Sequence, residues 1–207
     1  MNAHSVPASA VRREREKQER RAAILAAAEQ VIIARGFAEA SIDGIARAAG
    51  LAAGTVYLYF PNKEALFQDL LSSKVRQLND AVAAETGKDR VFAKTLPAVV
   101  QAMFQHFEAH HGFFEIFVRE RVELSRGAPQ TEGVLAEIEA GTRQMTEWIS
   151  AAQKAGSVGK GKARSLAQAL RGLVFQFTRD WLRGGSVGRL TQHATFVSEF
   201  FLKGAGA

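Results

Sequence analysis

An all-α fold is what this sequence predicts, and three observations carry the prediction. Apolar residues recur at i, i+3, i+4 and i+7 along most of the chain, only four prolines interrupt 207 residues, and β-branched residues nowhere alternate with polar ones over a strand's length. A chain of this size makes one large domain or two small ones, and it buries a core without metals or disulfides to staple it.

The elements follow in order. Residues 1–10 are small and polar and read as disordered; the charged run behind them turns helical by about Glu16. Ile24, Leu25, Ala28, Val31 and Ile32 form one stripe of a first helix, and Gly36 is placed to end it. Ser41 is a good N-cap for a short second helix with Ile42, Ile45 and Ala46 inward, stopped by Gly50. A third short helix, roughly Ala53 to Tyr59, follows a tight turn and is closed by Pro61-Asn62. From Lys63 to about Glu85 a longer helix aligns Leu66, Phe67, Leu70, Leu71, Val75 and Leu78, with Gly87 at its end.

Further stripes lie at Val99, Val100, Met103, Phe104 and Phe107; at Phe113, Phe114, Phe117 and Val118; and at Val134, Leu135, Ile138, Met145, Trp148 and Ile149. The glycine-rich stretch from Gly156 to Gly161 is a loop. Leu166, Leu170, Leu173, Val174, Phe177 and Trp181 then mark a strong helix ended by Gly184-Gly185, and Phe196, Val197, Phe200 and Phe201 mark the last one. The expected organisation is an arm over 1–15, disordered or basic, a three-helix head with a helix-turn-helix over 16–62, and a helical-bundle body over 63–207.

Composition narrows the function classes. There is no cysteine, which excludes disulfide frameworks, cysteine nucleophiles and thiolate zinc sites and fits a reducing, cytoplasmic setting. Mean hydropathy is -0.08 and no apolar run is long enough to span a bilayer, so no membrane partner is expected. No signal peptide is visible behind the charged start. The formal charge of +6 raises the prospect of a polyanionic partner, but it is unevenly placed: +3 over residues 1–63, -4 over 64–153 and +7 over 154–207. The basic region at 160–189 has no evident role.

Two short helices joined at Gly50-Leu51 match the helix-turn-helix, whose second helix enters the major groove; the same corner also occurs in bundles that bind nothing. The second helix decides more. With Val56 and Phe60 inward, Thr55, Tyr57, Leu58 and Tyr59 spread over the outer surface. A tyrosine packs its ring on sugar and donates its hydroxyl to phosphate, while Thr55 offers a hydroxyl and a methyl that meets a thymine methyl. Gly54 lets backbone approach backbone. Lys63 in the first turn of a helix opposes the macrodipole unless a phosphate is bound there, so its removal is expected to weaken DNA binding and spare the fold.

The stretch from Arg21 to Leu71, above all Gly36-Phe37, Ser41-Ile42-Asp43-Gly44-Ile45-Ala46, Ala49-Gly50-Leu51 and Gly54 to Leu66, resembles the TetR family of bacterial transcriptional repressors. The resemblance implies a homodimer that binds a palindromic operator in double-stranded DNA and is released by a small-molecule inducer held in the body. It implies phosphate contacts from Thr55, Tyr57, Tyr59 and Lys63 and base-edge approach by Gly54, Thr55, Tyr57 and Leu58, with Ser41 and Ala53 completing the surface. Ala52, Ala53 and Leu58 depart from the residues common in that family, which thins direct readout and leaves specificity to DNA shape, thymine methyls and Arg12, Arg13 and Arg15 in a minor groove.

For the body, the resemblance turns some aromatics into expected lining of an apolar or aromatic inducer's cavity: Phe104, Phe107, Phe114, Phe117, Trp148 and Phe175. The helices near 163–183 and 190–203 are the expected dimer interface. Two decoys are set aside. His106 and His110, with Glu108 or Glu115, have metal-ligand spacing but read as surface and capping residues, so no metal is expected. Gly156 to Ala163 nearly spells a phosphate loop, yet Ala163 supplies no hydroxyl for magnesium and no strand precedes it. No catalytic constellation and no cofactor are expected. The alternative reading is a helical small-molecule binding or adaptor protein without operator binding.

Overall fold

The computed structural model describes residues 8–87, 91–119, 131–159 and 161–205; the expected disorder of residues 1–7 and Lys160 of the glycine-rich loop fall outside them. The described residues form α-helices and short 3-10 turns, with no strand. The chain divides into two compact units within a helix, between Leu70 and Leu71, rather than at the head and body boundary of 62/63.

The first unit comprises α1 (Ala8–Arg35), α2 (Ile42–Ala48), α3 (Ala53–Tyr57) and the start of α4 (Lys63–Thr86). Helix α1 begins at Ala8, well ahead of the expected Glu16. Its exposed first turns are tied by i,i+4 pairs, Arg12 with Glu16 at 3.5 Å, Arg15 with Glu19 at 2.7 Å, and Gln18 donating to Glu14 at 2.7 Å. Such pairs favour helix where nothing packs. Gly36 ends the helix at φ 84°, a left-handed conformation that glycine adopts without penalty. Ile24, Ala28, Ile32, Ile45, Val56, Leu66 and Phe67 are fully or almost fully buried and make the core of this unit. Each large side chain among them contributes roughly 1.5–3 kcal/mol by leaving water.

The second unit holds the rest of α4 and α5 (Phe92–Ala109), α6 (His111–Arg119), α7 (Glu132–Lys154), α8 (Ala163–Arg183), a 3-10 turn at Leu190–His193 and α9 (Ala194–Ala205). Helix α7 packs along α8, α5 against α9 and α6 against α8. Leu96, Val99, Val100, Phe104, Phe113, Met145, Ile149, Leu170 and Val174 form the centre. The glycine-rich stretch is a loop, as expected, held where Gln153 Nε2 donates to the carbonyls of Gly159 at 2.8 Å and Gly161 at 3.1 Å.

Candidate functional site

The helix-turn-helix of the first unit is built by local chemistry. Ser41 Oγ accepts from the Gly44 amide at 3.1 Å and opens α2, whose Ile42, Ile45 and Ala46 are buried. Gly50 turns the chain at φ 66°, where a side chain would be strained. Helix α3 then starts without a side-chain cap, because Ala52 has no acceptor to offer. It ends at Tyr57, two residues before the expected Tyr59. The Leu58 and Tyr59 amides bond to carbonyls three residues back, tightening the last turn, since Phe60 precedes a proline and is steered away from helix.

Val56 and Phe60 point inward, 0% and 2% exposed, as the spacing requires. The outward face carries Tyr57 at 54% and Leu58 at 84% exposure, while Ala53, Thr55 and Tyr59 are half-buried and Gly54 and Ser41 exposed. A Cβ added at Gly54 would meet no atom within 4 Å and the residue has no left-handed φ. Nothing within the chain demands glycine there, although glycine inside a helix costs about 0.5–1 kcal/mol relative to alanine.

Lys63 is placed differently from the expectation of an ammonium waiting for phosphate. Its Nζ donates to the carbonyls of Phe37 at 2.8 Å and Ala38 at 3.0 Å, just past the end of α1, and lies 4.6 Å from the Phe37 ring centre. Those two carbonyls supply the partner that the first turn of α4 withholds, which is why a cation is tolerated at that end of the helix. Two of the ammonium's three donors are engaged in this way. The cap that opens α4 is Asn62, whose Oδ1 accepts from the Ala65 amide at 2.7 Å. Arg21 also serves this unit: it pairs with Asp69 and lies 5.5 Å over the Phe60 ring.

The second unit contains a cavity of about 350 Å³, within the range of small-molecule sites. Phe107, Phe114, Phe117 and Phe175 line it, together with Leu71, Val75 and Leu78 of α4, Met103 of α5 and Val134 and Ile138 of α7. Two expected residues do not. Phe104 is fully buried in the core, and Trp148 is turned onto Phe92, their ring centres 4.4 Å apart, with the Phe201 ring 6.4 Å from that of Phe92. The aliphatic lining escaped sequence reasoning because its residues sit in ordinary core stripes. Among the described residues one charged side chain, Arg171 of α8, reaches the lining; its place between Leu170 and Gly172, beside the apolar stripe of an amphipathic helix, is the available signal.

The histidine pair resolves into packing. His106 and His110 meet edge to face at 4.8 Å, and Lys74 Nζ approaches His110 Nδ1 at 3.2 Å. Burial, with the charges of His110 and Lys74, pushes the His106 pKa down to about 4, so the ring is neutral at physiological pH. Among the described residues no group of three metal-ligating side chains converges. No helix is long and apolar enough to cross a membrane, searched over the described residues.

Residues 24–70 match the family model of bacterial regulatory proteins, tetR family, and that match stops where the first compact unit ends. The chain is 31% identical over 110 residues to the uncharacterized HTH-type transcriptional regulator TtgW of Pseudomonas putida, spanning 53% of this chain and 81% of that one. The chain belongs to the tetR family of bacterial regulatory proteins. A tetR-family relative aligned along most of the chain is the fatty acid metabolism regulator protein of Bacillus subtilis (strain 168), 26% identical over 183 residues, 87% of this chain and 93% of its own. The fold is that of the transcriptional regulator FadR from Bacillus subtilis solved in complex with stearoyl-CoA, with a TM-score of 0.76 at 22% identity over 88% of this chain and 97% of that one. As a member of the tetR family the chain is a DNA-binding transcriptional regulator, in a family of ligand-responsive repressors that are not enzymes. The adaptor alternative gives way to this assignment.

Proposed function

We propose that the chain acts as a homodimer on a palindromic operator, represses there, and is released when an apolar molecule fills the cavity of the second unit. The observation that carries the reading is the outer face of α3: a nearly bare Leu58, an exposed Tyr57 and a glycine with open space beyond it. Exposed apolar side chains beside a helix-turn-helix corner are costly in water and suit the methyl-lined floor of a major groove. In this reading Tyr57, Tyr59 and Thr55 hold phosphates, Gly54 and Leu58 approach base edges, and Ser41 and Ala53 complete the surface. Lys63 has one ammonium proton left for phosphate and contributes chiefly by holding α1 to α4.

Dimerisation is assigned to α8 and α9, where Phe175, Phe196 and Phe200 are each about half exposed and the last two stack at 6.1 Å. Release follows from the cavity, since Leu71, Val75 and Leu78 of its wall belong to α4, the helix whose first turn carries Lys63. A ligand acts only through unequal affinity for the DNA-competent and incompetent states. The Bacillus subtilis FadR complex with stearoyl-CoA supports an apolar occupant.

Mobility-shift titration tests the DNA face. Tyr57→Ala is expected to weaken binding about tenfold on all duplexes. Leu58→Ala is expected to change the ranking of duplexes, and both variants keep the wild-type melting temperature. Unaltered binding in both would overturn the assignment of this face.

A further inference from the structure

The reading of the cavity as a ligand site leaves one group unexplained. Among the described residues its lining is apolar except for Arg171, and no hydrogen bond or ion pair joins that guanidinium to any of them. Glu139, the carboxylate whose charge reaches Arg171, is already committed: both its oxygens accept from Arg164, each at 2.8 Å, and Arg143 adds its charge to the same site. Glu137, the neighbouring acid on α7, pairs with Arg76 at 2.7 Å. Three arginines therefore share one carboxylate. Burial lowers the Arg171 pKa, but a guanidinium keeps its charge at any physiological pH.

A half-buried cation in an apolar wall without a fitted partner costs free energy, and an apolar residue of the same size would pack this wall without that cost. The surroundings are shaped around it. A methyl group at Gly141 would lie 2.1 Å from Asn79 Oδ1 and 2.7 Å from Arg171 Nη1, so these two side-chain ends converge on α7 in the space that the glycine leaves. Asn79 is itself oriented by a 2.8 Å bond from Nδ2 to the Glu137 carbonyl.

We propose that the cavity takes an amphiphile whose apolar body ends in an anionic group, a carboxylate or a phosphate, and that Arg171 recognises the charge. The volume corresponds to about a dozen water-sized groups, which fits a chain of similar heavy-atom count. A planar fork of donors suits either anion, and a charge-assisted bond in an apolar wall discriminates strongly against a neutral head.

The test uses the full chain in titration calorimetry with dodecanoate, dodecyl phosphate, dodecanoyl-CoA, dodecanol and dodecylammonium, all below micelle formation. Anionic chains are expected to bind about ten- to hundredfold more tightly than dodecanol, with the ammonium weakest. The ranking among the three anionic probes separates a free acid from a phosphate or a phosphorylated carrier ester. Arg171→Met is expected to erase the anion preference and keep dodecanol binding, and Arg171→Lys to restore part of it. Equal binding of dodecanol and the anions by the wild-type protein overturns the proposal while leaving the cavity as a ligand site. So does an anion preference that survives in Arg171→Met. No binding by any probe overturns both readings.

Discussion

Lys63 shows how one side chain changes meaning between sequence and fold. In the sequence it is a cation at the wrong end of a helix, a position that phosphate would relieve. In the folded chain two backbone carbonyls past α1 and the face of Phe37 relieve it first. Lys63→Met, which keeps the aliphatic stem, is therefore expected to lower stability by about 1–2 kcal/mol, discounted for its partial exposure. That corresponds to a fall in Tm of roughly 2–8 °C for a chain of this size. A melting temperature equal to wild type would return Lys63 to a purely DNA-facing role. Arg171 shows the opposite change: a member of a basic region without evident role becomes, among the described residues, the single charge on the wall of an apolar cavity.

At the scale of elements, most helices were legible because their apolar stripes have the period that burial demands, and Gly36 and Gly50 mark turns that only a left-handed residue makes easily. The differences lie where packing is not the determinant. The early start of α1 rests on exposed charge pairs that a hydrophobic stripe does not register, and the early end of α3 on the geometry before Pro61. The outer residues of α3 could be placed because a helix of known start fixes which side each residue faces. The cavity was only half legible: Phe107, Phe114, Phe117 and Phe175 line it, but periodicity cannot distinguish a cavity wall from solid core, and so Phe104 and Trp148 were grouped with them. The exposed aromatic face of α9 carries an element-scale prediction. Phe196→Glu with Phe200→Glu is expected to convert the proposed dimer to monomer in analytical ultracentrifugation with helical content retained, because both rings are more than half exposed in the single chain. A dimer that persists would move the interface elsewhere.

At the scale of the whole molecule, the formal charge of +6 is a poor guide to where DNA is met. Residues 1–63 contribute +3 and residues 154–207 contribute +7, part of which, at Arg171, faces a small-molecule cavity rather than a duplex. Under the proposed function the charge helps steer association and the surface of α3 decides what is bound. As proposed, two copies of that surface read a symmetric site, which predicts a spacing. The two helices must enter successive major grooves about 34–36 Å apart, or a multiple of that distance. Selection of bound duplexes from a random pool at a fixed salt concentration measures this directly. A two-fold-symmetric consensus with half-sites separated by about one helical turn, or a multiple, is the predicted result; an asymmetric consensus, or no enrichment over the starting pool, would contradict it.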